Sequence, residues 1–485
     1  MKRLLILFLF FLATVSCSPP EGKIIKWPDK IQVVLDNTNP LKYEPGNRLP
    51  LYLWPAMDPG KLSNEASEIL VRELGKRGIG IVCSWDITER DKYLSQGITI
   101  AKAQKKLGQR INIDATSLLY GFFNGDEKTA HIDKNGNTFF DESFGSNRKM
   151  GCPFAIDFRK NEIRGRIETF LEKYKEEDLP IDFIWADWEI DGPLEVNLAF
   201  KTSKRCARCC KYLGDNFTFE EFQKILREMR SYLQYYCYSS PVLAQCPIAL
   251  VGNYAVYPND GYRYWYDYFE YYVDGQPYKA DQRAIYRKWF NDFPLTGYTF
   301  AMPVVYPRWK IFTWYDFENT DYRWFYNMLL NASNSCKSTP QNIPVISFVH
   351  YYTLFSGVKP PDPGKIIQMS KNCYQELLWH MLLRGTDTFY MYSGKQDEFP
   401  EEVRLVHEVY ASAQKYGSFL DNGYPITYDV PAKPGVVISG LALGDSVLIR
   451  RTDFGTNHEA VEILAGTKII TVEYAPGVCK VLPLE

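Results

Sequence analysis

Beyond its first residues, this 485-residue chain has no uninterrupted run of the ~20 apolar residues that a membrane-spanning helix requires. A basic field is missing too. Lys and Arg number 56 against 58 Asp and Glu, a formal charge of −2, so no nucleic-acid partner is expected. No Gly-rich phosphate loop follows a strand-like run, which disfavours an open doubly wound nucleotide-binding sheet. There is no Gly-x-Ser-x-Gly elbow and no convincing Cys–His arrangement, so nucleophilic hydrolysis by Ser or Cys is disfavoured. No internal repeat or low-complexity tract is found.

What the chain has in excess is aromatic side chains, 15% of residues with 35 Tyr. Rings have flat apolar faces and Tyr adds a polar handle, which suits sugar binding and equally a large aromatic core. At the N-terminus, Lys2-Arg3 precede an apolar run from Leu4 to Val15, then Ser16-Cys17 and Ser18-Pro19-Pro20. That run is too short to span and reads as an export signal. Thr14-Val15-Ser16-Cys17 resembles a bacterial lipobox, with Thr14 where Leu is usual. The resemblance implies cleavage before Cys17, lipidation of that cysteine, and tethering to a bacterial cell membrane or outer membrane. Ordinary secretion is the alternative.

The 11 cysteines fit export, since removing a lipidated Cys17 leaves an even number in an oxidising compartment. Cys206, Cys209 and Cys210 crowd into one segment. A zinc site needs four ligands, and no second Cys pair or His pair completes this one in the sequence. Disulfides or buried thiols are expected there, with metal as the alternative. No cofactor is expected.

Along the chain, strand-like runs alternate with helical ones. Strand candidates are Leu49–Trp54, Ile79–Ser84, Arg110–Asp114, Asp182–Glu189, a stretch within Val242–Tyr254, Thr299–Val305, Ile343–Val349 and Asp387–Tyr392. Helical periodicity marks Ser63–Arg77, Asp91–Leu107, Asn161–Lys175, Phe219–Tyr236 and Tyr374–Leu383. This alternation predicts an α/β fold, a (β/α)₈ TIM barrel enlarged by loops. After Gly423, short strands separated by turns predict a small C-terminal all-β domain. The expected layout is a signal peptide over 1–16, a tether over 17–45, the barrel over 46–423 and the β-domain over 424–485.

The most informative stretch is Asp182-Phe183-Ile184-Trp185-Ala186-Asp187-Trp188-Glu189-Ile190-Asp191-Gly192-Pro193. Side chains alternate along a strand, so Ile184, Ala186, Trp188 and Ile190 form one apolar face. Phe183, Trp185, Asp187 and Glu189 form the other. Two acids spaced this way have α-carbons roughly 6.6 Å apart, a working distance for two carboxylates on one bond. Asp191-Gly192-Pro193 ends the strand, so the acids face a loop. The competing reading is a strand-end cluster that only binds loop amides.

At this strand the chain resembles the hyaluronidase-type glycoside hydrolases (glycoside hydrolase family 56), barrel enzymes with an Asp-x-Glu pair ending the fourth strand. Further echoes are Leu49-Pro50-Leu51-Tyr52-Leu53-Trp54, the Tyr120-Gly121-Phe122-Phe123 loop, Gly252-Asn253-Tyr254-Ala255-Val256-Tyr257-Pro258 and Met302-Pro303-Val304-Val305-Tyr306-Pro307. They cover roughly residues 48 to 395. The family follows the Glu with a Trp-Arg-Pro-type segment, which Ile190-Asp191-Gly192-Pro193 replaces here.

The resemblance implies a retaining, substrate-assisted mechanism on a glycan. Glu189 would be acid and base, and Asp187 would hold the substrate's 2-acetamido group. Tyr254 and Tyr306 are candidates for hydrogen bonds to the sugar, His350 for its hydroxyls, and Trp54 and Trp185 for aromatic contacts. Asp86 or Asp114 could instead supply a partner acid, with a sulfated or uronic glycan as substrate. A non-catalytic surface glycan-binding lipoprotein is the remaining alternative, and the intact acid pair argues against it.

Overall fold

The computed structural model describes residues 25–485 except 56, 120–124, 143–146, 148, 189–196, 255–270, 274–275, 279–292, 354–359, 361, 457 and 485. For 197–199, 220, 223, 227, 271–273 and 276–278 it describes the backbone alone. Glu189, Cys17, the Tyr120–Phe123 loop and the Ala255–Pro258 segment therefore lie outside the described residues.

Parallel strands alternate with helices, so the chain is α/β. The strands are β1 (Leu51–Trp54), β2 (Ile79–Gly80), β3 (Val82–Ser84), β4 (Asn112–Asp114), β5 (Phe183–Ala186) and β6 (Leu250–Asn253). They continue with β7 (Val304–Val305), β8 (Ile346–Val349) and β9 (Thr388–Tyr392). One sheet has the order β7-β8-β9-β1-β2 and the other β3-β4-β5-β6. Only Ile81 separates β2 from β3. At the opposite edges the Thr299 amide donates to the Val251 carbonyl at 2.9 Å, and the Val251 amide donates to the Thr299 hydroxyl at 2.8 Å.

Alternation along these strands sorts the side chains. Tyr52, Val82, Phe183, Trp185, Met302, Val304, Phe348 and Tyr390 form an inner aromatic-rich cluster. Leu51, Leu53, Ile113, Ile184, Ala186, Val251, Val349 and Met391 face the helices in a second, larger cluster. The parity expected for β5 holds, with Trp188 continuing the outer face. Parallel strands buried on both faces need apolar side chains in both parities, which these runs supply.

The main helices are α1 (Asp29–Asn37), α2 (Asn64–Gly75), α3 (Arg90–Lys106), α4 (Ile156–Glu176), α5 (Phe219–Gln234), α6 (Thr320–Ser338), α7 (Lys371–Leu382) and α8 (Phe399–Ala413). Their starts obey side-chain capping. The Ser63 and Ser370 hydroxyls accept the Ala66 and Cys373 amides, and Thr218 with Glu221 makes a capping box. The expected tether is corrected from residue 29 onward. Ile31 and Val34, one helical turn apart, are fully buried in the core, and the Leu41 amide donates to the Lys76 carbonyl at 2.8 Å.

Near the C-terminus the strands become antiparallel. They are β10 (Tyr424–Pro425), β11 (Val436–Leu443), β12 (Ser446–Asp453), β13 (Val461–Ala465), β14 (Lys468–Val472) and β15 (Cys479–Pro483), with sheet order β10-β11-β12-β15 and a β13-β14 hairpin. Polar side chains join this sheet to α7 and the turn after it. The Arg450 guanidinium is held by the Glu376 carboxylate at 2.6 and 2.8 Å, both side chains about 5% exposed. His380 contacts the Ser439 and Thr452 hydroxyls at 2.7 and 2.9 Å. Arg384 reaches the Ser439 and Ser333 hydroxyls and the Asp429 carbonyl.

Of the two expectations for the cysteine segment, disulfides or buried thiols, the structure has buried thiols at Cys206 and Cys209. Cys83, Cys152, Cys206, Cys209, Cys210, Cys246, Cys336, Cys373 and Cys479 are free thiols. Cys83, Cys246, Cys336, Cys373 and Cys479 are each buried without a sulfur partner among the described residues, so they act as small apolar side chains.

Candidate active site

Strand parity delivers one inward-facing residue from each neighbouring strand end. Trp54 closes β1, Asp114 closes β4, Asp187 follows β5, Tyr254 follows β6, Tyr306 follows β7, His350 follows β8 and Tyr392 closes β9. The register confirms the common level for two of them, because Trp54 and Tyr392 are paired neighbours. The inner-facing Trp185 is paired with Asp114 on one side and Gly252 on the other. A Cβ on Gly252 would stand 2.4 Å from the Phe300 ring, so only glycine fits there.

Asp114 and Asp187 are joined through one threonine. The Thr116 amide donates to Asp114 Oδ1 at 2.9 Å, and the Asp187 amide donates to Thr116 Oγ1 at 2.8 Å. The Trp54 indole N–H donates to Asp114 Oδ2 at 3.1 Å. Burial pushes the Asp114 carboxyl above its ordinary range, opposed by the hydrogen bonds from Thr116 and Trp54. Tyr390 lies beneath, and burial raises its hydroxyl strongly, with the Asp114 charge adding to the effect. It remains a neutral donor at any working pH.

Tyr254 and Tyr306 meet hydroxyl to hydroxyl at 2.7 Å, each less than a tenth exposed. Tyr254 sets its edge against Phe348, and Tyr306 lies edge-on to His350. His350 is 1% exposed, with Nδ1 2.7 Å from Glu402 Oε1 and 3.1 Å from the Tyr392 carbonyl. Its Nε2 meets no hydrogen-bond partner among the described residues. The next residue, Tyr351, gives its amide to the same Glu402 oxygen at 2.9 Å. Glu402 escapes sequence reasoning because it stands on α8, 52 positions from His350, where an acid in the first turn reads as ordinary helix-dipole chemistry.

Two expected contact residues take other places. Trp185 is fully buried, its indole N–H 2.8 Å from Met302 Sδ and its ring against Phe348 and Tyr390. It forms the floor of the site instead of a sugar-contacting wall. Asp86 spends Oδ1 on the Thr88 amide and hydroxyl at 2.8 and 2.6 Å. Partial burial works to raise its carboxyl, but these hydrogen bonds outweigh it and leave the carboxyl lowered. Asp86 therefore shapes a loop, whereas Asp114 is placed beside Asp187. Glu189 lies outside the described residues, so the geometry of the expected pair is represented by Asp187 alone.

No protein-family model matches the chain, and no curated protein sequence matches it. Among solved structures it is similar to bee venom hyaluronidase, at 12% identity and TM-score 0.31 over 59% of this chain and 85% of that one. It is also similar to the galactosidase domain of an alpha-galactosidase–sucrose kinase, at 10% identity and TM-score 0.41 over 90% of this chain and 51% of that one. A third is alpha-L-fucosidase isoenzyme 1 from Paenibacillus thiaminolyticus, at 12% identity and TM-score 0.34 over 88% and 76%. Superpositions this loose assign no chemistry to individual residues of this chain.

One other cluster can hold a metal. His131, Cys152, Cys206 and Cys209 converge, all buried, although only the last two are near neighbours in sequence. Cys210, expected in the same group, turns its sulfur to the Lys204 carbonyl at 3.6 Å.

Proposed function

We propose that this chain is a glycoside hydrolase that cleaves a polysaccharide or oligosaccharide, retaining configuration with help from the substrate's own N-acetyl group. The two parallel sheets are then halves of one (β/α)₈ barrel. The continuity of the chain through Ile81 and the Thr299–Val251 hydrogen bonds support that closure. The observation that carries the reading is convergence at the strand ends. Asp187 and Asp114, linked by Thr116, stand with Trp54, Tyr254, Tyr306 and Tyr392, which combines acid chemistry with aromatic surface. Barrel enzymes place their chemistry at this end of the strands.

In this mechanism Glu189 protonates the glycosidic oxygen and then deprotonates water. Asp187 orients the acetamido group as its oxygen attacks the anomeric carbon. The Tyr254–Tyr306 pair hydrogen-bonds to the reacting sugar, and His350, held by Glu402, faces its hydroxyls. No cofactor takes part. A second reading has support from Asp114, whose raised carboxyl would make it a proton donor beside Asp187 on a uronic or sulfated glycan. The protein is further proposed to be exported and lipid-anchored through Cys17, with a tether that ends where α1 begins at Asp29.

The test is purified protein on glycans with and without N-acetylhexosamine, scored by released oligosaccharides and by the configuration of the first product. Glu189→Gln should lose roughly 10²–10⁴-fold in turnover with unchanged circular dichroism. Near-normal turnover by that variant refutes the site. Inverted product, or cleavage confined to glycans without an acetamido group, refutes the substrate-assisted route and favours the Asp114 reading.

A further inference from the structure

The loop after β4 and the segment after β5 meet at four side chains that the proposed chemistry does not use. His131 belongs to a short antiparallel ladder of His131–Ile132 with Thr138–Phe139, and Cys152 follows the Asp141–Met150 bridge. Cys206 is the N-cap of the helix Ala207–Leu213, and Cys209 lies three residues further on. One ligand atom from each of the four lies within 4.8 Å of the others. Cys152 Sγ is 3.5 Å from Cys209 Sγ and 3.8 Å from Cys206 Sγ.

These separations decide between two kinds of sulfur chemistry. A disulfide needs about 2.05 Å between sulfurs, and three thiols cannot pair off without leaving one over. Tetrahedral zinc with Zn–S bonds of about 2.3 Å holds its sulfurs about 3.8 Å apart. The observed spacing is the second kind. An independent sign comes from His131. Its residue is fully buried, and neither ring nitrogen meets a hydrogen-bond partner among the described residues. Burying such a ring unpaired is costly, and a metal bond to one nitrogen removes that cost. Phe139, Phe154 and Ala155 pack around the sulfurs, and the Phe139 ring stacks on His131 at 5.2 Å. An apolar wall of this sort keeps water from the bonds.

We propose that His131, Cys152, Cys206 and Cys209 form a Cys₃His structural zinc site. Sulfur-rich donors in a tetrahedron suit zinc, and Cys206-x-x-Cys209 has the spacing of a zinc knuckle. All four positions are filled by protein, so the ion has no open site for water and does no catalysis. It clamps the loop behind Asp114 to the segment behind Asp187. Weaker ties run along the same seam, including Arg205 over the Phe139 ring at 4.8 Å and Phe154 stacked on Tyr212 at 4.6 Å. The site is independent of the glycosidase reading, and its test involves no substrate.

Full-length protein purified without chelator should carry one zinc per chain by elemental analysis. Cys152→Ser, Cys206→Ser and His131→Ala should each lose it, while Cys210→Ser keeps it. Because ligand variants can misfold, the wild-type chain gives a second readout. Exchange with Co²⁺ should produce thiolate-to-cobalt charge transfer and tetrahedral d–d bands. Alkylation followed by mass spectrometry should label Cys210 first and the three ligand cysteines only after chelation. Folded wild-type protein without metal that also refuses Co²⁺ overturns the proposal. So does a disulfide among Cys152, Cys206 and Cys209, or full metal retention in Cys152→Ser.

Discussion

Breaking the Arg450–Glu376 pair should be among the most damaging single changes outside the site. The guanidinium makes two parallel hydrogen bonds to the carboxylate at 2.6 and 2.8 Å, with both side chains about 5% exposed. Glu376 also accepts the Thr452 hydroxyl at 2.5 Å, and the Arg450 guanidinium lies 4.8 Å over the Trp379 ring. Arg450→Met leaves the carboxylate buried with one hydroxyl for company, and Glu376→Leu leaves a buried cation. Each should cost about 3–5 kcal/mol, the usual effect of stranding one member of a buried pair. The double variant exchanges both charges for apolar volume and should recover most of that loss. Guanidinium unfolding of the four proteins, followed by tryptophan fluorescence, closes the cycle. Single variants that each lose less than about 1 kcal/mol would mean that water reaches the pair, as at a surface bridge, and the reasoning fails.

Two other expectations follow from single residues. Burial, then the charges of Arg384 and Arg450, hold His380 well below its ordinary value of 6.5, so the folded protein keeps it neutral while the unfolded chain protonates. Stability should therefore fall as pH drops below 6.5, by at most about 1.4 kcal/mol per pH unit, and His380→Gln should flatten that slope. Asp387, raised by burial to about 6, acts in the opposite sense but is common to both proteins. Identical slopes would contradict a neutral His380. Cys17→Ala should release the protein from the membrane fraction of a bacterial host, and an unchanged distribution and mobility would disprove lipid tethering.

Most of the strands are legible because an apolar run is stopped by an acid, proline or glycine. The sequence predicts Leu49–Trp54 where β1 spans Leu51–Trp54, and Asn161–Lys175 where α4 spans Ile156–Glu176. α6 leaves no clear helical signal in the sequence, for a physical reason. Asn327, Asn331, Ser333, Asn334 and Ser335 are all buried on it, and such residues mask an apolar period. Parity shows which way the Trp185 ring points, not what covers it, so the sequence alone offers it as a sugar surface. His131 and Cys152 carried no signal beside Cys206, since 75 and 54 positions of chain separate them until the loops fold together.

The Thr116 bridge makes the two carboxylates of the site more than neighbours. Its hydroxyl accepts the Asp187 amide, while its own hydroxyl and amide donate to Asp114 and partly offset the burial that raises that carboxyl. This is a directional relay from the backbone of one strand end to the carboxylate of the next, and polarisation runs along such chains. A proton arriving on Asp114 weakens the pull on the threonine hydroxyl and thereby loosens its grip on the Asp187 amide. The charge on one acid thus bears, through a single hydroxyl, on the backbone that carries the other.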